Sequence, residues 1–188
     1  DVTYNDDGTI AQFVPNHPKA KPSIQKQVVI DMDHAYYPDK QMLPWIQAVH
    51  DRVTLEMFRG CLRGCRFCQA GMVYRPVREK SKDTLLSHAN NLLKSTGYDE
   101  ISLSSLSTSD YSELKEFTSG LLDMCNTEMV NVSLPSLRID EFSVDLMSKV
   151  QEVRKSSLTF APEAGTQRMR DVINKNLTEE EIINGCEL

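Results

Sequence analysis

From Val53 onward the chain alternates short apolar runs with helix-spaced apolar stripes, a pattern that predicts a parallel sheet covered by helices. The run VTLEMF at 53–58 is the first predicted strand. Leu85, Leu86, Ala89, Leu92 and Leu93 then recur at helical spacing, with Gly97 placed as a C-terminal stop. Residues 100–106 predict a second strand. Leu114, Phe117, Leu121, Leu122 and Cys125 predict a second helix, with Ser109 or Asp110 available as its N-cap. A third strand is expected at 129–134, a third helix from Val144, Met147 and Val150, and a fourth strand at 157–160. A helix near 166–174 follows, and Thr178 with Glu181 forms a capping-box pattern for a last helix. About four strand-helix units in this order imply parallel strands joined by right-handed crossovers. Periodicity alone leaves a barrel arc and an open doubly wound sheet as alternatives.

Directly after the first predicted strand comes CLRGCRFC, with Cys61, Cys65 and Cys68 spaced C-x-x-x-C-x-x-C. Thiolates are soft donors suited to iron-sulfur clusters and zinc, and three on one tight loop can hold three corners of a cubane, leaving its fourth iron open. A zinc site normally closes with four protein ligands in paired spacings, and neither His50 nor His88 stands at a finger or ribbon distance from the triplet. A disulfide framework needs pairs in an oxidising compartment. The chain has five cysteines and no apolar leader at its start. Cys125 lies on an apolar helix stripe and Cys186 near the C-terminus, which suits packing or incidental thiols better than ligands.

The triplet, with Phe67 before its last cysteine, resembles the radical S-adenosylmethionine (SAM) enzymes. The wider stretch HDRVTLEMFRGCLRGCRFCQAGMVYRPVREKS is similar to a bacterial subfamily usually carrying an upstream cobalamin-binding-type domain. The likeness continues through TGYDEISLSSLSTSDYS and LTFAPEAGTQRMRDVINK, in blocks over residues 28–188. It implies an α/β fold, a partial (β/α) barrel of the radical SAM type truncated to about four of six strand-helix units. It also implies a 4Fe-4S cluster on Cys61, Cys65 and Cys68. SAM would chelate the open iron, and one-electron reduction would cleave it to methionine and a 5'-deoxyadenosyl radical. Such a cofactor carries the hard step while protein groups position it and exclude water.

In parallel α/β folds active groups gather at the carboxyl ends of the strands, so the cysteine loop belongs on the functional rim. The same rule selects further residues that the resemblance implies for SAM. After the second strand the family often has a Gly-Gly-Glu segment that meets the SAM amino group, but here the stretch is SSLSTSDY at 104–111. Hydroxyls such as that of Ser107, with Asp110, could do the same hydrogen bonding; helix capping by Ser109 and Asp110 is the alternative. After the third strand, Ser133 and Arg138 fall where the family places a polar group and an arginine near SAM, and a guanidinium fork matches a carboxylate. After the fourth, Glu163 would be poised for ribose hydroxyls, with Gly165 permitting close backbone approach. For Arg138 and Glu163 the alternative is a surface salt bridge.

Residues 1–50 read as an N-terminal extension, of which 1–27 is a linker with Pro15, Pro18 and Pro22 closely spaced, and Val28 to Ile30 a short strand. Residues 51–188 read as an incomplete core. The chain opens on Asp1 and stops just past a helix-start signal, as an excised fragment would. Cobalamin would then act through a domain absent from this chain. The net charge of −6 argues against a broad nucleic-acid surface. Yet residues 59–82 hold seven basic residues against the single acid Glu79. These charges offset cluster thiolates and the SAM carboxylate, are simply solvated, or receive a phosphate-bearing substrate such as RNA. No run reaches membrane-spanning length, and reduced thiols suit the cytoplasm. An electron donor such as flavodoxin or ferredoxin is the partner the resemblance implies, with RNA or protein as substrate by methyl transfer or methylthiolation. A non-catalytic iron-sulfur or zinc module that presents the positive loop to a partner is the reading from another class.

Overall fold

A computed structural model describes residues 1–135, 137–139 and 159–187, which divide into two compact units, Asp1–Ile30 and Asp31–Leu188. The first unit holds an antiparallel hairpin of β1 (Val2–Tyr4) and β2 (Ile10–Phe13), where the sequence suggested only linker. Asp7 closes its turn, accepting from the Thr9 amide at 2.9 Å, and Gly8 takes the left-handed conformation that the reversal needs, at φ 81°. Val28 to Ile30 joins no strand ladder, and Val29 and Ile30 are exposed.

The second unit contains the parallel sheet. Its strands are β3 (Val53–Glu56), then β6 (Glu100–Ser104) and β7 (Asn131–Ser133), in the order β3-β6-β7. Val53 lies opposite Ile101, and Ile101 opposite Val132. These β-branched residues and Leu55 and Leu103 are buried, so the sheet is covered as parallel sheets require. After the one-turn helix α1 (Ala70–Val73), helix α2 (Lys82–Thr96) starts on Ser81, whose hydroxyl accepts from the Thr84 amide at 3.3 Å, and stops at Gly97, φ 70°. It buries Leu85, Ala89, Leu92 and Leu93 of the stripe read from sequence, while Leu86 of that stripe is only partly buried. Helix α3 (Leu114–Glu128) likewise buries Phe117, Leu121, Leu122 and Cys125.

Two expectations are corrected in detail. The first run does not stay one strand. After Glu56 the chain leaves the sheet, and β4 (Phe58–Arg59) pairs antiparallel with β5 (Arg78–Glu79). Neither Ser109 nor Asp110 caps α3; its N-cap is Glu113, with no side-chain cap bond, after a short 3-10 turn at Thr108–Asp110. Tertiary partners take both side chains, as shown below. The third helix stripe, Val144 to Val150, lies outside the described residues, as do Ser157 and Leu158 of the fourth strand; Thr159 and Phe160 are irregular. Two helices close the chain: α4 (Gln167–Val172), capped by Thr166, and α5 (Glu179–Glu187). The capping box forms, with Thr178 N donating to Glu181 at 2.7 Å and Glu181 N to the Thr178 hydroxyl at 3.2 Å. Among the described residues no helix is long and apolar enough to cross a membrane.

Candidate functional site

The cysteine loop is an excursion clipped at its base by the β4-β5 ribbon. Beside that ribbon, Met57 N donates to Ser104 O and Lys80 N to Met57 O, each at 3.0 Å, which fixes both legs of the loop to the carboxyl end of the sheet. Lys80 is buried at 2% exposure, its Nζ donating to Glu56 O at 2.9 Å and lying 4.1 Å from the Tyr37 ring centre. Burial pushes the ammonium down in pKa, and the Glu56 charge works against that. Burial likewise opposes ionisation of Glu56, but the Arg59 hydrogen bonds and the Lys80 charge hold its carboxyl below the usual value. Arg59 Nε donates to it at 2.6 Å.

Within the loop, Cys61, Cys65 and Cys68 are free thiols of intermediate exposure, and Cys68 N donates to Cys65 O at 3.0 Å in a tight turn. Donor type, number and access fit an iron-sulfur cluster. The side chains are not gathered into a ligand set: among the described residues no three His, Cys, Asp or Glu side chains stand ready to hold a metal ion. Free thiols have no mutual attraction that would draw them together, and metal sites form with the metal. Cys125 is fully buried, and burial pushes its thiol up to about 11. Cys186 is exposed on α5.

Ser107 and Asp110 follow the end of β6, Ser133 ends β7 and Arg138 follows it, whereas no described strand runs directly into Glu163. Asp110, after β6, receives Arg63 from the cysteine loop, with Arg63 Nε 3.0 and 2.9 Å from its two oxygens and an Nη2 contact besides. The Asp110 side chain is only 6% exposed. Burial opposes its charge; the Arg63 hydrogen bonds, with the nearby Arg138 charge, hold the carboxyl below its ordinary value. Ser107 lies at the same strand end; its hydroxyl helps to keep Asp110 ionised, yet it is buried and makes no hydrogen bond of good geometry among the described residues. An orphaned hydroxyl of this kind suits a polar ligand atom. Ser133 ends β7 opposite Ser102. Arg138 is 8% exposed, donates its amide to the Ser109 hydroxyl at 2.9 Å, and reaches Lys175 O at 3.3 Å through Nη2. Thr108 donates to Pro135 O at 2.6 Å, so the loops after β6 and β7 are stitched together.

Glu163 stands apart, exposed, with Lys175 Nζ 3.5 Å away and φ at 69°, uncommon for a residue with a Cβ. A Cβ on Gly165 would meet nothing within 4 Å, so the described residues give no close approach that demands glycine there. Phe67 projects from the cysteine loop at 56% exposure. Much of the positive island is internally neutralised: Arg59 pairs with Glu56, Arg63 with Asp110, Lys80 with Glu56 and Lys82 with Glu113. Sequence reasoning missed all four pairings. Except for Arg59 with Glu56, their partners lie far apart in the chain and leave no local signal.

The Arg63-Asp110 pair sets a pH dependence. Because the folded carboxyl has a depressed pKa, its contribution is complete above the unfolded carboxylate value and is lost as pH falls through the folded one. Asp110→Asn keeps the shape and removes the charge; it is expected to cost about 2–3 kcal/mol at neutral pH and to flatten the acid limb of stability. Urea midpoints of both proteins followed downward from about pH 5 check this. Equal acid slopes would show that other groups carry it.

Over 170 residues the chain is 34% identical to the uncharacterized protein MJ0966 of Methanocaldococcus jannaschii, covering 90% of this chain and 36% of that protein. The chain thus spans about a third of the length of the relative it matches. Residues 55–188 match the sequence model of the radical SAM superfamily, from β3 through the cysteine loop to the last helix, and the chain belongs to that superfamily.

Proposed function

We propose that the chain holds a 4Fe-4S cluster on Cys61, Cys65 and Cys68 and binds SAM at the cluster's open iron for reductive cleavage. The observation that carries this reading is the place of the loop: three accessible thiols leave the carboxyl end of the first parallel strand, and polar groups from the next two strand ends lie beside them. When bound, the cluster and SAM supply a 5'-deoxyadenosyl radical from a single electron. The chain's own residues bind and orient. Phe67 offers an aromatic surface, Ser107 a buried hydroxyl with no well-formed hydrogen bond, Ser133 and Arg138 polar groups at and after the end of β7, and Glu163 a carboxylate for ribose. Asp110 is occupied by Arg63 and would act at SAM through that guanidinium. The electron would come from a flavodoxin- or ferredoxin-type donor, and free cysteines suit a reducing cytoplasm.

Anaerobic reconstitution with iron and sulfide tests the reading. A reduced-cluster spin-resonance signal that SAM perturbs is expected, followed by 5'-deoxyadenosine on addition of a strong reductant. A cluster indifferent to SAM would instead support a non-catalytic iron-sulfur module, and binding of zinc with no iron would remove the cluster assignment.

A further inference from the structure

The C-terminal end of α4 grips the cysteine loop from more than a hundred residues away. Asn174 Nδ2 donates to Gly64 O at 3.0 Å and, more loosely, to Arg63 O at 3.5 Å. Arg66 N donates to Ile173 O at 2.9 Å, and the Arg66 guanidinium reaches Val172 O. These contacts bracket Cys65, seizing the two carbonyls before it and the amide just after it.

The grip has a rigid base. Arg170, 2% exposed, donates Nε to Leu177 O at 2.9 Å, Nη1 to Ala164 O at 3.0 Å and Nη2 to Gln167 at 3.1 Å. Lys175 N closes on Arg170 O at 2.9 Å, and Arg138 adds its bond to Lys175 O. Asn174 itself sits at φ 56°, a left-handed conformation that asparagine accepts more readily than most residues. That conformation follows directly from the end of a short helix, and the side chain is half-buried against the loop.

We propose that Asn174 is a positioning residue for the cysteine loop, its amide holding the Arg63 and Gly64 carbonyls so that Cys65 is presented in one orientation to the cluster. This rests on the cluster reading for its spectroscopic consequence only; the effect on the thiol stands without it. A carboxamide can donate to both carbonyls, whereas a carboxylate of the same shape only accepts and would repel them. Asn174→Asp therefore removes the donor with little change of volume. Asn174→Gly removes it while tolerating the left-handed backbone.

The test uses the full chain, first free of iron. Alkylation of each cysteine by iodoacetamide is followed by mass spectrometry. In both variants Cys65 is expected to react about three- to tenfold faster, the equilibrium weight of one hydrogen bond. Cys125 and Cys186 should react at unchanged rates, and the thermal midpoint should move little. After reconstitution, the reduced-cluster spin-resonance line shape or midpoint potential should differ from that of the parent, and a chelator should strip iron faster. Unchanged Cys65 reactivity in both variants overturns the proposal. An equal rise at buried Cys125 also overturns it, since the effect would then be global loosening. Failure of the parent chain to take up iron would count against the cluster reading, while the thiol rates would still decide the role of Asn174.

Discussion

Replacing Cys61, Cys65 or Cys68 singly by alanine is expected to bring iron after anaerobic reconstitution to background, while Cys125→Ala and Cys186→Ala keep the parent content. The asymmetry has a physical cause. The three loop thiols are partly exposed at the carboxyl end of the sheet, where a cluster can reach them. Cys125 is sealed on the buried face of α3 with a thiol pKa raised by burial to about 11, so its thiolate is strongly disfavoured. Its replacement should act through packing, costing about 1 kcal/mol for the lost sulfur contacts. Iron and sulfide per chain, measured beside far-UV circular dichroism, check both halves. If Cys125→Ala empties the site as thoroughly as Cys65→Ala, the ligand assignment is wrong.

A second large effect is expected at Gly60, the residue on which the chain turns from β4 into the cysteine loop. Its φ is 99°, and a Cβ there would stand 2.6 Å from Tyr74 O and 2.8 Å from Pro76 O. Both obstacles are backbone, held by the returning leg of the loop, so neither can rotate away. Gly60→Ala is therefore expected to cost about 3–5 kcal/mol, combining left-handed strain with overpacking. Gly64→Ala gives the contrast. At φ 70° with side-chain Arg75 Nη2 at 3.4 Å as nearest neighbour, it should cost only about 1–2 kcal/mol. Urea midpoints of the iron-free proteins measure both. Equal costs would mean that the loop relaxes around Gly60 and that its clip by β4 and β5 is loose.

Much of the architecture was legible because its information is local. The Leu85 to Leu93 stripe, the Gly97 stop of α2, the Phe117 to Cys125 face of α3 and the Thr178-Glu181 box each depend on residues a few positions apart. Capping failed at Ser109 and Asp110 for the opposite reason. Both have cap-forming side chains, but Arg138 N and Arg63 bind them more strongly from far along the chain. The first strand was read too long because apolarity persists to Phe58, while the ladder with β6 ends at Glu56 and from Phe58 the chain pairs with β5 instead.

The sequence by itself determined the parallel strand-helix order, the thiol triplet and its place after the first strand, since spacing and periodicity are properties of neighbours. Tertiary structure alone decided which charges meet. Arg63 could have been one more cation of a positive island; it is instead locked onto Asp110, 47 positions away. Lys80, counted in the sequence among the basic residues of 59–82, is buried between Glu56 and the Tyr37 ring. Asn174, silent in any local pattern, reaches back to Gly64. A hydrogen bond or ion pair between distant residues depends on how strands and helices pack, and the separation along the chain carries no trace of it.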